Sequence, residues 1–543
     1  MAPADVATRS GAGGNGSAQV PVVRTAAAVL PVIAFVVFFL FMLSACRNPT
    51  VVEYEPYESP GAVEPNDEYY ELQWHYRQIN MPGAWGILHD SELEGAFDEV
   101  MVAVIDNGIL EEDDLKDNLF LDTTGPDGGY EFDGEDGDGD PTADDNNSHG
   151  THVSGTIAAV TDNDNGVSGI GWDRLKVMPV RALRGEGDGT TTDIINSIYY
   201  SAQSDESGVE PPTRDSRVMN LSLRGNGSDS AMYEAIDYAI AQGMTVVAAA
   251  GNSGGTVIHP AAFDNTIAVS AVTKGEMLAG YSSRGPAIDF AAPGGDEEGF
   301  VWSVDYRGYD GYAGTSMATP HVSGVVGLLY SYAPNLNQDA VYAILANTAK
   351  DLGEPGHDEE YGHGLIDAEA ALEYLINAGR DYPVQPRSSG GGTSSGTSTG
   401  GSTLQTAGGG AVGGGRPRVS NMSDAAVSRL AAEGAGRSRG RRPQKRTGAI
   451  MPDADAEYDE HSVIVKLSET AREAPDGAAA GSPEAAAAVA AAAVDAAGSR
   501  HLGGPFHRID LPHGMTPQVA IEALGEREDV EYAQPNYRYR LID

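Results

Sequence analysis

The sequence predicts an α/β protein, a parallel β-sheet covered by helices on both faces, followed across a linker by a small α+β domain. Short apolar segments at Met101–Ile105, Lys176–Val180, Arg217–Leu221, Thr245–Ala250 and Thr266–Val272 alternate with helical stretches at Thr192–Gln203, Ser230–Gln242 and Asn337–Asn347. Strands apolar at successive positions are buried on both faces, which a parallel sheet between helices provides. Residues 385–415 are rich in Gly, Ser and Thr and have no apolar period, so they read as a flexible linker. Beyond them the chain again alternates strand and helix patterns up to its last residues.

The chain has 543 residues and carries 79 Asp+Glu against 34 Lys+Arg, a formal net charge of −45. So acidic a chain does not hold nucleic acid by bulk electrostatics, and no nucleic-acid partner is expected. The single cysteine, Cys46, excludes an intramolecular disulfide. Arg9 and Arg24 precede an uncharged apolar run at 26–45, the pattern of an export signal. The run is also long enough to cross a bilayer as a retained helix. Leu43-Ser44-Ala45-Cys46 resembles the lipobox of bacterial lipoproteins, which implies cleavage before Cys46 and a lipid on its sulfur. The expected division is a signal peptide or membrane segment at 1–45, an acidic, proline-rich tether at 46–64, a main domain at 65–380, a Gly/Ser/Arg-rich linker at 381–450 and a small domain at 451–543.

Within the main domain the apolar strand Met101–Ile105 ends in Asp106-Asn107-Gly108, at the carboxyl end where parallel sheets place their sites. A strand-ending turn is the plainer reading of that tripeptide. Asn147-Ser148-His149-Gly150-Thr151-His152 opens a helix. His149 and His152 stand at i,i+3 without the glutamate of an H-E-x-x-H zinc motif, so His149 reads as a general base and zinc is not expected. Asn252 follows the strand Thr245–Ala250, where its amide can donate without titrating. Gly311–Gly324 places Ser316 where loop becomes helix, with backbone N–H groups and the positive helix end near its hydroxyl. Each residue alone has a bland structural reading as a turn or cap.

Together the four are specific. V-I-D-N-G, S-H-G-T-H-V-S-G-T, A-A-A-G-N and G-T-S-M-A-T-P-H follow one another as in the subtilisin-like serine proteases, the subtilases, and the likeness runs from about 65 to 372. The resemblance implies Ser316 as nucleophile, His149 as its base, Asp106 behind the imidazole, and Asn252 with the Ser316 backbone N–H as the oxyanion hole. It further implies that Ser222-Leu223-Arg224 and Gly187-Asp188-Gly189 line the peptide-binding groove and pair with an extended substrate. Arg224 departs from the glycine usual in the family and reads as an exposed loop residue or as a cation at the pocket rim. The acidic run with Asp133, Asp136, Asp138, Asp140 and Thr142 resembles the calcium loop of thermitase-like members. The same resemblance implies a second structural calcium held by Asp67, Asp114, Asn163 and Asn165 with the carbonyls of Val160 and Val167; for both stretches solvated acidic turns are the plainer reading.

The tail reads as a strand at His461–Leu467, a helix at Ser482–Ala497, the strand-like P-F-H-R-I-D-L, a helix capped by Thr516, and a strand at Asp529–Tyr537. That order fits a ferredoxin-like α+β domain and resembles the subtilase propeptide, which implies an intramolecular inhibitor or folding module. In the family this module precedes the protease; here it follows. A flexible linker of roughly 70 residues has an r.m.s. span of about 45 Å, enough to reach the groove. The basic stretch Arg416–Arg446 reads as solvated linker, as a patch for acidic surfaces, or as a self-cleavage site. The resulting expectation is an exported serine endopeptidase acting on peptides or proteins through an acyl-enzyme, calcium-stabilised, and anchored by a lipid on Cys46 or an N-terminal helix, facing the outside or the periplasm. The alternative is a lipid-anchored binding or self-processing protein on a protease scaffold.

Overall fold

The computed structural model describes residues 57–120, 130–132, 148–202 except 186, 216–306 except 226 and 228, 308–382 except 381, 448–451, 456–468, 487, and 490–542. The lipobox, the tether up to residue 56, the acidic loop 133–147 and the linker 383–447 lie outside these residues. Among those described, no helix is long and apolar enough to cross a membrane.

Seven strands form the main sheet: β1 (Val100–Asp106), β2 (Tyr130–Glu131), β3 (Leu175–Arg181), β5 (Ser216–Leu221), β7 (Thr245–Ala249), β8 (Ile267–Val272) and β9 (Phe290–Pro293). They pair in parallel in the order β2-β3-β1-β5-β7-β8-β9. β1 shows why its sequence is apolar throughout. Val100, Val102 and Val104 face one core, with the helices His149–Ala158, Thr315–Tyr332, Gln338–Thr348 and Ala368–Ala378. Met101, Ala103 and Ile105 face a second core, with the helices Thr191–Ser201 and Ser230–Ala241. Every residue of Thr315–Tyr332 is buried, which a helix packed under a sheet requires.

Two short strands, β4 (Asp188–Thr190) and β6 (Leu223–Gly225), stand off the main sheet after β3 and β5. A hairpin of β10 (Val301–Asp305) and β11 (Gly308–Tyr312) precedes the helix bearing Ser316. Neither the hairpin nor β9 is among the sequence-based expectations.

The small domain contains β12 (Gly448–Ala449), β13 (Tyr458–Leu467), β14 (Gly498–Gly503), β15 (Phe506–Asp510) and β16 (Val530–Leu541), in sheet order β12-β16-β13-β15-β14. A helical turn at 490–493 lies between β13 and β14, and the helix Pro517–Gly525 between β15 and β16. This is the βαββαβ arrangement of a ferredoxin-like domain. β14, which the sequence reading missed, completes it. Thr516 does stand at the N-cap of Pro517–Gly525, but its hydroxyl makes no capping bond; the proline at the first helical position supplies the start instead. Alternation along β13 divides the labour. Val463, Val465 and Leu467 pack under the small domain's own helices, while Ile464 joins Leu502, Phe506 and Tyr532 in the second core of the main body.

Candidate active site

Asp106 ends β1 and His149 opens the helix Thr315–Tyr332's neighbour, His149–Ala158. Gly150 allows the approach: a Cβ there would lie 2.3 Å from the Gly108 carbonyl oxygen. The helix start is then pinned by Gly150 N donating to Asn107 Oδ1 at 3.0 Å. As a result His149 Nδ1 lies 2.9 and 3.1 Å from the two Asp106 carboxylate oxygens, in a pair that is almost wholly buried. The Asn107 N–H also donates to Asp106 Oδ1, at 2.9 Å, and fixes the carboxylate.

Asn252 follows β7. Its Oδ1 accepts from Thr315 N at 2.9 Å and from Thr315 Oγ1 at 2.8 Å, so its NH₂ group must point the other way. Ser316 is the second residue of its helix. Behind it Ser222 Oγ donates to the Ser316 carbonyl at 3.1 Å, Asn220 Nδ2 to Ser222 Oγ at 3.0 Å, and Ser323 Oγ to Asn220 Oδ1 at 2.8 Å. Ser222 thus turns its side chain towards the helix of Ser316.

The space in front of Ser316 holds the chain's own C-terminal segment. The Ile542 carbonyl oxygen accepts from Ser316 Oγ at 2.8 Å and from Asn252 Nδ2 at 3.3 Å. Upstream of it, β16 lies between β4 and β6 as an antiparallel middle strand. Tyr539 is opposite Gly189 and Gly225, Arg540 opposite Asp188 and Arg224, and Leu541 opposite Leu223. Leu541 N donates to the Gly187 carbonyl at 2.9 Å. All six residues expected to line the groove, Gly187, Asp188, Gly189, Ser222, Leu223 and Arg224, therefore meet at this strand or directly behind it. The small domain is held by further contacts: Lys466 Nζ to Glu234 at 2.7 Å, Gln534 Nε2 to Asp229 Oδ1 at 2.7 Å, and Tyr537 N to Thr191 Oγ1 at 3.0 Å.

His152, the other motif histidine, is structural. Its Nε2 faces the Val301 carbonyl at 3.0 Å, its ring stacks on Tyr312 at 4.4 Å, and burial lowers its pKa to about 3. Sequence reasoning missed a buried histidine pair, His75 Nδ1 to His321 Nε2 at 2.8 Å, which ties the helix Trp74–Gln78 to the helix that carries Ser316. Burial lowers the pKa of His321 to about 4 and that of His75 well below the usual range.

Of the expected calcium ligands, Asp133, Asp136, Asp138, Asp140 and Thr142 lie outside the described residues. Asp67, Asp114, Asn163 and Asn165 do meet, around the loop 160–168. Asp67 accepts from Asp162 N and Asn163 N, each at 3.0 Å, and Asp114 from Asn163 Nδ2 and Val167 N, each at 2.9 Å. Both carboxylates are buried. Burial raises the Asp114 pKa to about 6, with the nearby Asp67 adding to it. Two buried acids and two amide side chains supply the hard oxygens a divalent cation takes, but here both carboxylates accept N–H donors. Asn163 directs its Nδ2 to Asp114 and its Oδ1 to Asn165 N, at 2.9 Å. The expected carbonyl donors Val160 and Val167 are tied to the same acid through their backbone N–H groups, Val160 N to the Asp114 carbonyl at 2.8 Å and Val167 N to its side chain. Among the described residues no three His, Cys, Asp or Glu side chains gather as a metal site.

Residues 98–364 match the model of the Subtilase family, and 444–536 that of the Fervidolysin N-terminal prodomain. The chain is 37% identical over 310 residues to the halolysin-like extracellular serine protease Nep of Natrialba magadii, a match covering 57% of this chain and 52% of that protein. It thus spans about half the length of Nep. Against thermitase of Thermoactinomyces vulgaris the identity is 33% over 314 residues, covering 57% of this chain and 99% of thermitase. A solved protease structure from Pseudoalteromonas arctica superposes with a TM-score of 0.51 at 32% identity, covering 58% of this chain and all of that one, 100%. The parallel sheet, the order of the four motifs and the near-complete span of thermitase agree: the chain belongs to the subtilase family.

Proposed function

We propose that the chain is a serine endopeptidase whose groove is closed by its own C-terminal segment. The observation that carries this reading is the Ile542 carbonyl, held between Ser316 Oγ at 2.8 Å and Asn252 Nδ2 at 3.3 Å. A peptide substrate would lie as β16 lies, adding a strand between β4 and β6 with its carbonyl at Ser316. Ser316 Oγ attacks that carbonyl carbon while His149 Nε2 takes the hydroxyl proton. Asp106, bonded to Nδ1, holds the imidazole in the tautomer that leaves Nε2 as acceptor and stabilises the imidazolium. The oxygen becomes an anion facing the Asn252 amide and the Ser316 backbone N–H. The protonated imidazole then returns its proton to the leaving amine, and water releases the acyl group by the reverse sequence.

The small domain, by the same geometry, acts as an intramolecular inhibitor. Where that domain's own strand presents the bond after Ile542 to Ser316, a second reading follows: the first substrate is the chain itself, cut at that bond. Calcium would be held by Asp67, Asp114, Asn163 and Asn165, and by the acidic loop from Asp133 to Thr142, where it would clamp loops and take no chemical step. The relatives' extracellular location and the apolar run 26–45 support export, with Cys46 as the lipid-bearing residue or 26–45 as the anchor.

A serine-directed phosphonate tests the assignment. Wild-type chain should take up one adduct, slowly because the tail competes, and cleave an unfolded protein substrate. Ser316→Ala should do neither. Cleavage retained by Ser316→Ala would overturn the reading.

A further inference from the structure

Asp229 plays no part in the chemistry above, yet its carboxylate is fully buried at the head of the helix Ser230–Ala241. It caps that helix by accepting from Met232 N at 3.0 Å on Oδ1. A cap needs one acceptor, and this carboxylate serves three further donors. Gln534 Nε2 reaches Oδ1 at 2.7 Å, while Thr191 Oγ1 and the Tyr539 hydroxyl, at 3.0 Å, reach Oδ2. Burial raises the Asp229 pKa, and these hydrogen bonds oppose the rise. Met232 and Thr191 belong to the main body and remain whatever occupies the groove. Gln534 and Tyr539 belong to the tail and leave with it.

Tyr539 stands three residues before Ile542, so it is the fourth residue upstream of the bond presented to Ser316. Its backbone pairs with Gly189 and Gly225 on either side. Its ring lies on Gly225, where a Cβ would sit 2.5 Å from Cε1, and the residue is fully buried. The glycine sets the depth of the ring, and the depth brings the hydroxyl to the carboxylate. A purely apolar pocket would take phenylalanine at least as well as tyrosine, because the phenol gives up water on entry. With Asp229 at its end the order reverses, since phenylalanine leaves a buried acceptor short of a donor.

We propose that Asp229 makes the groove selective for tyrosine at the fourth position upstream of the cleaved bond, in substrates as in the tail. The proposal rests on the peptidase reading for its substrate consequence only; the pairing in the groove can be measured without catalysis. Sites built to bond a hydroxyl discriminate strongly when closed, by 10⁴ or more. Here Thr191 and Met232 remain as partners and the groove is open at its ends, so the expected preference in kcat/KM is about 10- to 100-fold.

Two measurements on the full chain test it. In the first, hydrogen exchange of the 538–541 amides is followed in a Ser316→Ala background. Tyr539→Phe should raise exchange roughly tenfold, Asp229→Ser, which also deprives Gln534 of its acceptor, should raise it at least as much while serine keeps the helix cap, and the double variant should add nothing beyond Asp229→Ser. Additive effects, or none, would overturn the pairing. In the second, wild-type chain is offered an equal mixture of two peptides that copy the tail, Tyr-Arg-Leu-Ile and Phe-Arg-Leu-Ile, each extended past the isoleucine. The ratio of their rates gives the ratio of kcat/KM however much of the enzyme is closed. Tyrosine should win in wild type, and the ratio should fall to one or below in Asp229→Ser. A ratio near one in wild type, or a preference that survives Asp229→Ser, would overturn the proposal. If neither peptide is cut and no phosphonate adduct forms, the peptidase reading has failed, and the exchange arm alone decides whether the groove selects tyrosine as a binding site.

Discussion

Replacing Leu541 with aspartate should open the groove while leaving the small domain docked. Leu541 is 4% exposed, its backbone N–H donates to the Gly187 carbonyl, and its side chain covers Gly187, where a Cβ would lie 2.9 Å from Cδ1. Burying a leucine contributes about 1.5–3 kcal/mol, which the aspartate forfeits. A carboxylate left there without a partner adds a cost of at least about 2 kcal/mol, so the end of β16 leaves the groove instead. The total, roughly 4 kcal/mol, corresponds to about a thousandfold shift between closed and open tail. The tether holding the tail nearby is the same in both proteins and cancels. The contacts of Lys466 with Glu234, of Gln534 with Asp229 and of Tyr537 with Thr191 lie upstream and should hold the domain in place. The assay is the initial rate on an internally quenched peptide, with mass spectrometry showing the chain uncut. The rate of Leu541→Asp should exceed that of wild type by two to three orders of magnitude, up to the point where the open form dominates. A rate within twofold of wild type, with both chains uncut, would refute the inhibitory role of the tail.

Three other outcomes follow from the same geometry. Asn252→Ala should lower kcat by about 10²–10³ with little change in KM, because its amide donates chiefly to the oxygen that becomes an anion. Removing calcium with a chelator should lower Tm, and the effect should grow as pH rises from about 4 to about 6 and level off above: with the Asp114 pKa raised from 3.8 to about 6, ionising it in the folded chain costs stability progressively across that window, and in full above it, unless a cation is bound. Asp114→Asn should reduce both the chelator effect and its pH dependence. The buried neutral histidines act in the opposite direction. With His321 at about 4 and His152 at about 3, below the usual 6.5, the unfolded chain gains protons first as pH falls. Their contribution to stability is complete above pH 6.5 and declines from there towards pH 3, which thermal unfolding across that range would register as a falling Tm.

The strands of the main sheet were readable because β1, β7 and β8 are short runs apolar at most successive positions, and β3 and β5 are so in their middles, as strands covered on both faces allow. Asp106, His149, Asn252 and Ser316 could be singled out because each lies at or just past the end of a strand or in the first turn of a helix, inside a distinctive run of small residues. Other features had no such trace. β14, with glycine at both ends around Ser-Arg-His-Leu, lacks an apolar alternation and is a strand because β15 pairs with it. The hairpin Val301–Tyr312 carries acids and glycines that read as loop until the two halves meet. Asp229 before Ser230 reads as an ordinary helix cap, and it is one; its second use depends on where β16 lands. That register is the least legible fact of all. The tail's strand pattern was visible up to Tyr537, but the residues that reach Ser316 lie beyond it, at 538–542, and only the pairing with β4 and β6 sets Ile542 opposite the serine.

The most direct measurement of the central claim is the rate of phosphonate labelling of three full-length proteins, read as intact mass. The account predicts slow labelling of wild type, labelling of Leu541→Asp faster by two orders of magnitude or more, and none of Ser316→Ala. Equal rates for wild type and Leu541→Asp, or an adduct on Ser316→Ala, would contradict a reactive Ser316 kept from outside ligands by Ile542.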